Sequence, residues 1–252
     1  MQRLTYYANW DHPRYKVTDL PIDQISHLVY CFLDVSAKTG RVSLSSKWVD
    51  LEATDFDHPP LPDLPYKGAL NQLTRIKREN PALKTLLAVG GGAETESGEA
   101  FKAILTSRRK CRHFVASLAT LIETYGFDGA DIDFEFPDTV AQGYLLTKHL
   151  LRPLRERLPA QQYLITADIP STNWHGQWYD AIGLDENTDW VNLMTYDYFG
   201  SWSLTTGHHS NLLSQSLHDP ANVGLSIQEA ITYWADRGIP PSHMQYILVR
   251  FL

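Results

Sequence analysis

Acidic residues recur through one otherwise apolar stretch, Phe127-Asp128-Gly129-Ala130-Asp131-Ile132-Asp133-Phe134-Glu135-Phe136-Pro137. Read as a strand, this run alternates faces. Asp131, Asp133 and Glu135 then share one side, and Ile132, Phe134 and Phe136 share the other. Three carboxylates a few ångströms apart repel, so the group is tolerated only where protons are retained or the charges are hydrogen-bonded. A carboxylic acid kept protonated near neutral pH is what proton donation requires. A half-exposed strand with a wetted polar face fits the alternation equally well. The complete apolar face opposite, and the small Gly129 and Ala130 at the start, favour a functional site.

Strand patterns alternate with helix patterns along the rest of the chain. Strands are expected over 4–9, 27–35, 83–89, 163–169 and 190–196, with a further one over 244–249. The 27–35 run is nearly all apolar, as buried parallel strands are. The segment 36–67, rich in Pro and Asp, reads as irregular. Helices are expected over 70–79 and 139–158, with Pro153 kinking or dividing the latter. Phe114, Leu118, Ile122 and Tyr125 recur at helical spacing, and Gly126 offers a left-handed cap. Ser226 and Glu229 form a capping box for a helix over 226–237. Repeated strand–helix alternation means a parallel sheet with right-handed crossovers, either an open doubly wound sheet or a (β/α)₈ barrel. In both, sites form at the carboxyl ends of strands, where Asp131–Glu135 and Tyr196-Asp197 lie.

Composition narrows the function classes. The 252 residues, 43% hydrophobic and 20% charged, suffice for one domain with a substantial core. A net charge of −7 without a basic stripe argues against nucleic acid as a partner. No apolar run is long enough to span a membrane. Met1-Gln2-Arg3 leads directly into a strand pattern rather than the apolar core of a signal peptide, leaving a cytosolic protein or one whose leader is absent. Two cysteines make no disulfide scaffold. Cys31 reads as a small core residue, and pairing with Cys111 stays open. Neither GxGxxG nor a P-loop follows an early strand, and Gly90-Gly91-Gly92 reads as a tight turn or a close approach to a ligand. His12, His208 and His209 read as loop histidines, because no Cys or acidic partner sits at ligand spacing, so neither a metal nor an organic cofactor is implied. Many of the 7 Trp and 13 Tyr sit near turns, where aromatic faces can stack on sugar rings; ordinary core use explains single ones equally well.

The run from Asp128 to Glu135 resembles the DxxDxDxE signature of family 18 glycoside hydrolases, the chitinases and their relatives. Further matches occur in order along the chain. Tyr6-Tyr7-Ala8-Asn9-Trp10, Tyr30-Cys31-Phe32 and Leu86-Leu87-Ala88-Val89-Gly90-Gly91 resemble the family's first three strands. Met194-Thr195-Tyr196-Asp197 resembles its MxYD motif. Gly200-Ser201-Trp202, then Thr206-Gly207-His208, and Gly238-Ile239-Pro240-Pro241-Ser242 are similar to the segments that follow. The resemblance implies a (β/α)₈ TIM barrel, with residues 1–252 as one catalytic domain without a linker or second domain. It implies retaining, substrate-assisted hydrolysis of β-1,4-linked N-acetylglucosamine polymers, in which the substrate's N-acetyl group is the nucleophile. Chitin or N-acetylglucosamine oligosaccharides would be its partners, with the protein acting as a monomer. By family habit it would be extracellular. Glu135 would be the acid and then the base; Asp133 would hold the acetamide N–H; Asp131 would share a proton with Asp133; Tyr196 would bond the acetamide oxygen. Asp197 and Met194 would shape the same subsite, with Tyr6, Trp10, Phe32 and Gly91 along the cleft.

The chain departs from the family pattern in places. Ala88 stands where many members have Ser, Gly92 where an aromatic often follows, and Phe134 and Phe136 replace the commoner Trp and Tyr. After Ser242 the family's strand eight and the Trp that floors the central subsite have no counterpart, so the barrel is expected to be incomplete, with about six to seven strands. Such a barrel is expected to be poorly stable and weakly active. The rival expectations are a non-catalytic chitin-binding lectin-like relative and an inactive fragment. Retention of Glu135 favours the enzyme over the lectin.

Overall fold

The computed structural model describes residues 2–92, 96–214 and 225–247. The strands are β1 (Leu4–Ala8), β2 (His27–Val35), β3 (Val42–Leu44), β4 (Lys84–Gly90), β5 (Gly129–Asp133), β6 (Leu164–Pro170), β7 (Trp190–Met194) and β8 (Met244–Tyr246). Seven of them pair in parallel in the order β1-β2-β4-β5-β6-β7-β8, and β3 pairs antiparallel with the end of β2. Each parallel neighbour follows by a crossover, as barrel topology requires. The sheet curls far enough that Gln245 on β8 donates to the side chain of Gln2, beside β1, at 3.1 Å. Among the described residues no ladder joins β1 to β8, so the architecture is an incomplete TIM barrel.

The crossovers carry α1 (Ala69–Glu79), α2 (Glu96–Leu105), α3 (Arg108–Tyr125), α4 (Val140–Leu145), α5 (Arg152–Arg157), α6 (Asn173–Gly176), α7 (Ala181–Asn187) and α8 (Ile227–Asp236). The ends follow their sequence signals. Ser107 accepts the Lys110 N–H at the start of α3, and Gly126 closes it at φ 69° with its N–H on the Ile122 carbonyl. Ser226 caps α8 through the Glu229 N–H at 3.2 Å. Pro153 does divide its helix. It lies in the first turn of α5, where its missing N–H is harmless, and a widened π turn over Leu146–Leu151 precedes it.

Alternation along the strands sorts side chains into two layers. Leu28, Tyr30 and Leu33 of β2, with Ala130 and Ile132 of β5, face outward against Phe101, Phe114, Leu118 and Ile122 of the helices. Val29, Cys31, Leu86 and Ala88 face the barrel interior with Tyr6 and Phe32 around them. Because Ala130 and Ile132 point out, Asp131 and Asp133 point in.

The structure corrects several expectations. The strand carrying the acids stops at Asp133, so Glu135 lies beyond its end rather than on the same ladder. The MxYD strand likewise stops at Met194, because the Thr195 N–H turns back to the Leu193 carbonyl. The segment 36–67 is not wholly irregular, since β3 and a π turn over Trp48–Glu52 lie within it. Of the strand expected over 244–249, residues 248 and 249 lie outside the described residues. Cys31 and Cys111 are free thiols, each buried and donating to a backbone carbonyl.

Gly90 sets how closely β4 and β5 approach at the carboxyl edge. Its φ is 127°, and a Cβ there would stand 1.7 Å from the Asp133 carbonyl oxygen. Gly126, at φ 69°, has open space around its missing Cβ. Gly126→Ala should therefore cost only about 1–2 kcal/mol of left-handed strain. Gly90→Ala must also part the two strands and should cost at least about 3 kcal/mol. Urea unfolding of the two variants beside the wild type measures the difference.

Candidate active site

Four acids gather where β5 and β6 meet the barrel interior. Asp131 and Thr166 are register partners, as are Asp133 and Asp168. Asp131, Asp133, Thr166 and Asp168 are all buried. Glu135, half-buried just past β5, extends the series toward the mouth.

Asp131 lies deepest, and donors from three strands converge on it. Asn192 Nδ2 of β7 reaches Oδ1 at 3.2 Å, and the Thr166 hydroxyl of β6 bonds the same oxygen. Tyr6 Oη of β1 lies 3.0 Å from Oδ2 and 2.7 Å from Asp168 Oδ1. Asn192 also donates to Tyr6 Oη at 3.0 Å, and is itself oriented by the Trp190 indole N–H at 3.0 Å. Burial raises the Asp131 carboxyl to about 6, and the bonds from Thr166, Tyr6, Asp168 and Asn192 hold it from rising further.

Asp133 is held quite differently. Its Oδ1 has no hydrogen-bond partner among the described residues. Burial, then the neighbouring Glu135 and Asp131, push its carboxyl well above the usual range. Burial also raises Glu135, and Asp197 adds to the effect. Asp168 is driven well up by burial and by Asp131 and Asp133. The carboxyls stand close enough to repel one another once ionised, so the cluster retains protons near neutral pH.

Tyr196 faces this cluster. Burial raises its phenol, followed by Asp168, Asp133, Glu135 and Asp197, so it keeps its proton and can donate it. Its ring stacks on His209 at 6.5 Å, and His209 Nδ1 lies 3.6 Å from Asp197 Oδ1. Asp197 is exposed, with φ at 57°. Met194 is buried at the end of β7.

The remaining expected residues divide between interior and rim. Tyr6 stands inside the barrel, where burial, with Asp131 and Asp168 opposite, keeps its hydroxyl protonated as a donor. Trp10 is 62% exposed and stacks on Phe32 at 6.0 Å. Gly91 makes room for that ring, since a Cβ there would lie 3.0 Å from Phe32 Cε2. Its N–H meets the Asp133 carbonyl at 3.1 Å. Across the mouth, Phe136 stacks on His175 at 4.3 Å and His175 on Trp174 at 6.0 Å, with Trp174 76% exposed.

One reading changes. His12 is buried and does have an acidic partner, Asp55, at 3.0 Å across the irregular segment. It ties that segment down, edge-on to Trp48 and Phe56. Asp128, first acid of the DxxDxDxE run, sits apart from the other three at the opposite end of the strand. It bonds Lys77 at 2.7 Å and the Thr85 N–H at 2.8 Å. Burial would raise it, but Lys77 and the Thr85 N–H outweigh that and hold it below the usual carboxylate range.

Sequence reasoning missed Asp168, Thr166, Asn192 and Tyr179. Asp168 carried a readable signal, an acid inside the apolar run Leu164-Ile165-Thr166-Ala167-Asp168-Ile169-Pro170. Tyr179 carried none. Its hydroxyl donates to the Phe134 carbonyl at 2.5 Å and so fixes the corner that bears Glu135.

The raised carboxyl of Asp133 predicts a pH-dependent penalty. A buried acid with a raised pKa stays protonated while its unfolded counterpart ionises, so folding loses stability as pH climbs above the usual carboxylate range. Asp133→Asn removes this loss. Its melting temperature should match the wild type near pH 3–4 and exceed it by about 4 °C or more at pH 7. Paired thermal melts across that range check the sign.

The chain matches the model of the glycosyl hydrolases family 18 over residues 2–251. It is similar to the sporulation-specific chitinase 2 of Saccharomyces cerevisiae, 28% identical over 84% of this chain and 47% of that protein. It is also similar to endochitinase 1 of Metarhizium anisopliae, 30% identical over 94% of this chain and 57% of that protein. The chain thus spans about half the length of the curated relatives it matches. Among solved structures, the Ostrinia furnacalis Group IV chitinase in complex with allosamidin superposes with a TM-score of 0.82. It is 26% identical, over 96% of this chain and 64% of that one. Chitinase ChiA74 from Bacillus thuringiensis shares the fold, with a TM-score of 0.84 at 23% identity, over 96% of this chain and 47% of that one. An inward-facing acid series on β5, a tyrosine opposite it after β7 and a match along nearly the whole sequence lead to one conclusion: the chain belongs to the family 18 glycosyl hydrolases.

Proposed function

We propose that this protein is a chitinase-like hydrolase of β-1,4-linked N-acetylglucosamine polymers, acting with retention through the substrate's own acetamide. One observation carries the reading. Glu135 stands at the mouth end of a buried acid series, with its proton affinity raised by burial and by Asp197. It is the acid of the series that a glycosidic oxygen can reach. The chitinase names of the relatives support the same substrate class.

The chemistry follows from the positions. Glu135 gives its proton to the bridging oxygen as the C1–O bond breaks. The acetamide carbonyl oxygen closes on C1 and forms a positively charged oxazolinium-type ring, so no protein nucleophile is needed. Asp133 and Glu135 hold a proton between them; with that proton on Glu135, the ionised Asp133, short of a hydrogen-bond partner at Oδ1, accepts the acetamide N–H and offsets that charge. Tyr196 donates to the acetamide oxygen and keeps it aimed at C1. Water then adds to C1 as Glu135 takes its proton back, which restores the acid. Trp10 over Phe32 on one side, and Trp174 beside His175 on the other, offer flat apolar faces to pyranose rings.

Glu135→Gln should lower turnover of a fluorogenic chitobioside or chitotrioside by at least about 100-fold while leaving chitin-oligomer binding intact. Tyr196→Phe should cut kcat by about 10- to 100-fold with little change in KM, because its bond matters most as charge develops. Turnover that survives Glu135→Gln would refute the assignment.

A further inference from the structure

Glu135 stands past the last ladder residue of β5, so the sheet does not set its direction. The residues on either side of it are held instead by the segment between β6 and α7. The Tyr179 hydroxyl donates to the Phe134 carbonyl at 2.5 Å, and the His175 ring stacks on Phe136 at 4.3 Å. This segment has only the four-residue α6 of its own, so it needs support from outside. α8 supplies it. The indole N–H of the buried Trp234 donates to the Pro170 carbonyl at 2.8 Å, where the segment begins. Arg237, just past the end of α8, reaches further along it. Its Nη2 donates to the Tyr179 carbonyl at 2.5 Å, and its Nη1 donates to the Gly176 carbonyl and, at 2.8 Å, to Tyr233 Oη. These acceptors are neutral, so the guanidinium fork supplies geometry rather than charge pairing. The cation lies 5.0 Å from the centre of the Trp234 ring and 5.5 Å from that of Tyr233, which steadies the fork. Tyr233 in turn packs on Gly176, where an added Cβ would stand 2.8 Å from its ring. Tyr179 is thus gripped by its carbonyl at one end and grips Phe134 by its hydroxyl at the other.

We propose that Arg237 is a positioning residue for Glu135: its fork sets the loop after β6, and that loop sets the Glu135 corner through Tyr179 and His175. Tyr179 is buried, with the fork behind it, so it acts on Glu135 through the backbone and not on a sugar. Burial keeps its phenol protonated, and Asp133, Glu135 and Asp168 add to the effect, so the donor to Phe134 persists at and above neutral pH.

The role rests on the hydrolase reading, and its test separates the two. In the full 252-residue chain, Tyr179→Phe keeps the ring and removes only the hydroxyl. It should lower kcat on a fluorogenic chitobioside by about tenfold and leave KM within about twofold, since a misaimed acid still binds the sugar but delivers its proton poorly. Arg237→Ala should lower kcat at least as far, again with KM held. The double variant should lose about as much as Arg237→Ala alone, because without the fork the Tyr179 hydroxyl no longer holds Phe134. If Arg237→Ala does not fold, Arg237→Lys serves in its place. Its ammonium keeps a cation over the rings but cannot bridge both carbonyls, and kcat should fall by at least about threefold.

Carbon-13 NMR titration of the Glu135 carboxyl, assigned by its loss in Glu135→Gln, needs no turnover. The titratable groups around that carboxyl are Asp133 on β5, Tyr179 after β6 with Arg237 behind it, and Tyr196 and Asp197 after β7. Burial is the main cause of its raised proton affinity, so a loosened corner admits water and moves the titration to lower pH in Tyr179→Phe and Arg237→Ala alike. Loss of a cation by itself would move it to higher pH. A wild type that hydrolyses nothing would sink only the hydrolase reading and leave this arm to decide. Wild-type kcat in either single variant, a loss that falls on KM, losses that multiply in the double variant, or a Glu135 titration that stays in place or rises in Arg237→Ala would each overturn the proposal.

Discussion

The Asp131 carboxylate is the interaction on which the rest of this molecule turns. A lone buried carboxylate would cost several kcal/mol, and here it is tolerated because donors from β1, β6 and β7 converge on it. Those donors also tie together strands distant in sequence, so the acid that burdens the barrel helps to hold its shape. The arrangement continues outward. Trp190 orients Asn192 and packs edge-on against His27, linking the polar centre to the amino-terminal half of the sheet. Binding of this kind is all-or-none. An Asn192 turned the other way would leave two buried acceptors short of a donor at once.

Backbone geometry sets where the acids can stand. Gly90 and Gly91 both lie at positive φ at the end of β4, and they let the chain pass close to Asp133 and under Phe32. The same pair of glycines therefore serves the buried centre and the apolar rim. Tyr179 completes the frame by holding the Phe134 carbonyl from the far side. Phe134 itself points out into the helix layer, stacked on Phe101 at 5.1 Å. Glu135 thus projects from a corner fixed on both sides, although it lies outside the strand. Its placement relies on packing and on one hydrogen bond rather than on the sheet ladder.

How far the sequence foretold this depends on the kind of signal involved. Alternation showed that Asp131 and Asp133 share a face, and the apolar residues between them showed that the opposite face is buried. Caps at Gly126 and Ser226 and the break at Pro153 were equally local, and each was legible. The end of β5 was not, because the corner at Glu135 is imposed by Tyr179, 44 residues further on. His12 and Asp55 likewise meet across 43 residues of irregular chain, with no spacing rule to connect them. Asn192 read as one more residue of the MxYD strand. Only the curvature of the sheet brings it to Tyr6, 186 residues away. By the same alternation Asp128 falls off the face that the other three acids share, and it bonds Lys77 at the far end of the strand.

The acids differ in surroundings more than in chemistry, and the differences run along the barrel axis. Among the three aspartates of this cluster, Asp131 has the most donors and the smallest upward displacement. Asp133, one turn of the alternation closer to the mouth, has an oxygen with no donor among the described residues. Charge is thus welcome at the bottom of the series and unwelcome above it, and a proton entering the cluster moves toward the mouth. A buried oxygen without a partner destabilises the folded protein, and filling it with a fixed donor would stabilise the fold. On the proposed reaction, it would also take the oxygen to which the acetamide N–H bonds. On that proposal the open valence of Asp133 is binding capacity, and the crowded shell around Asp131 is the structure that keeps it so.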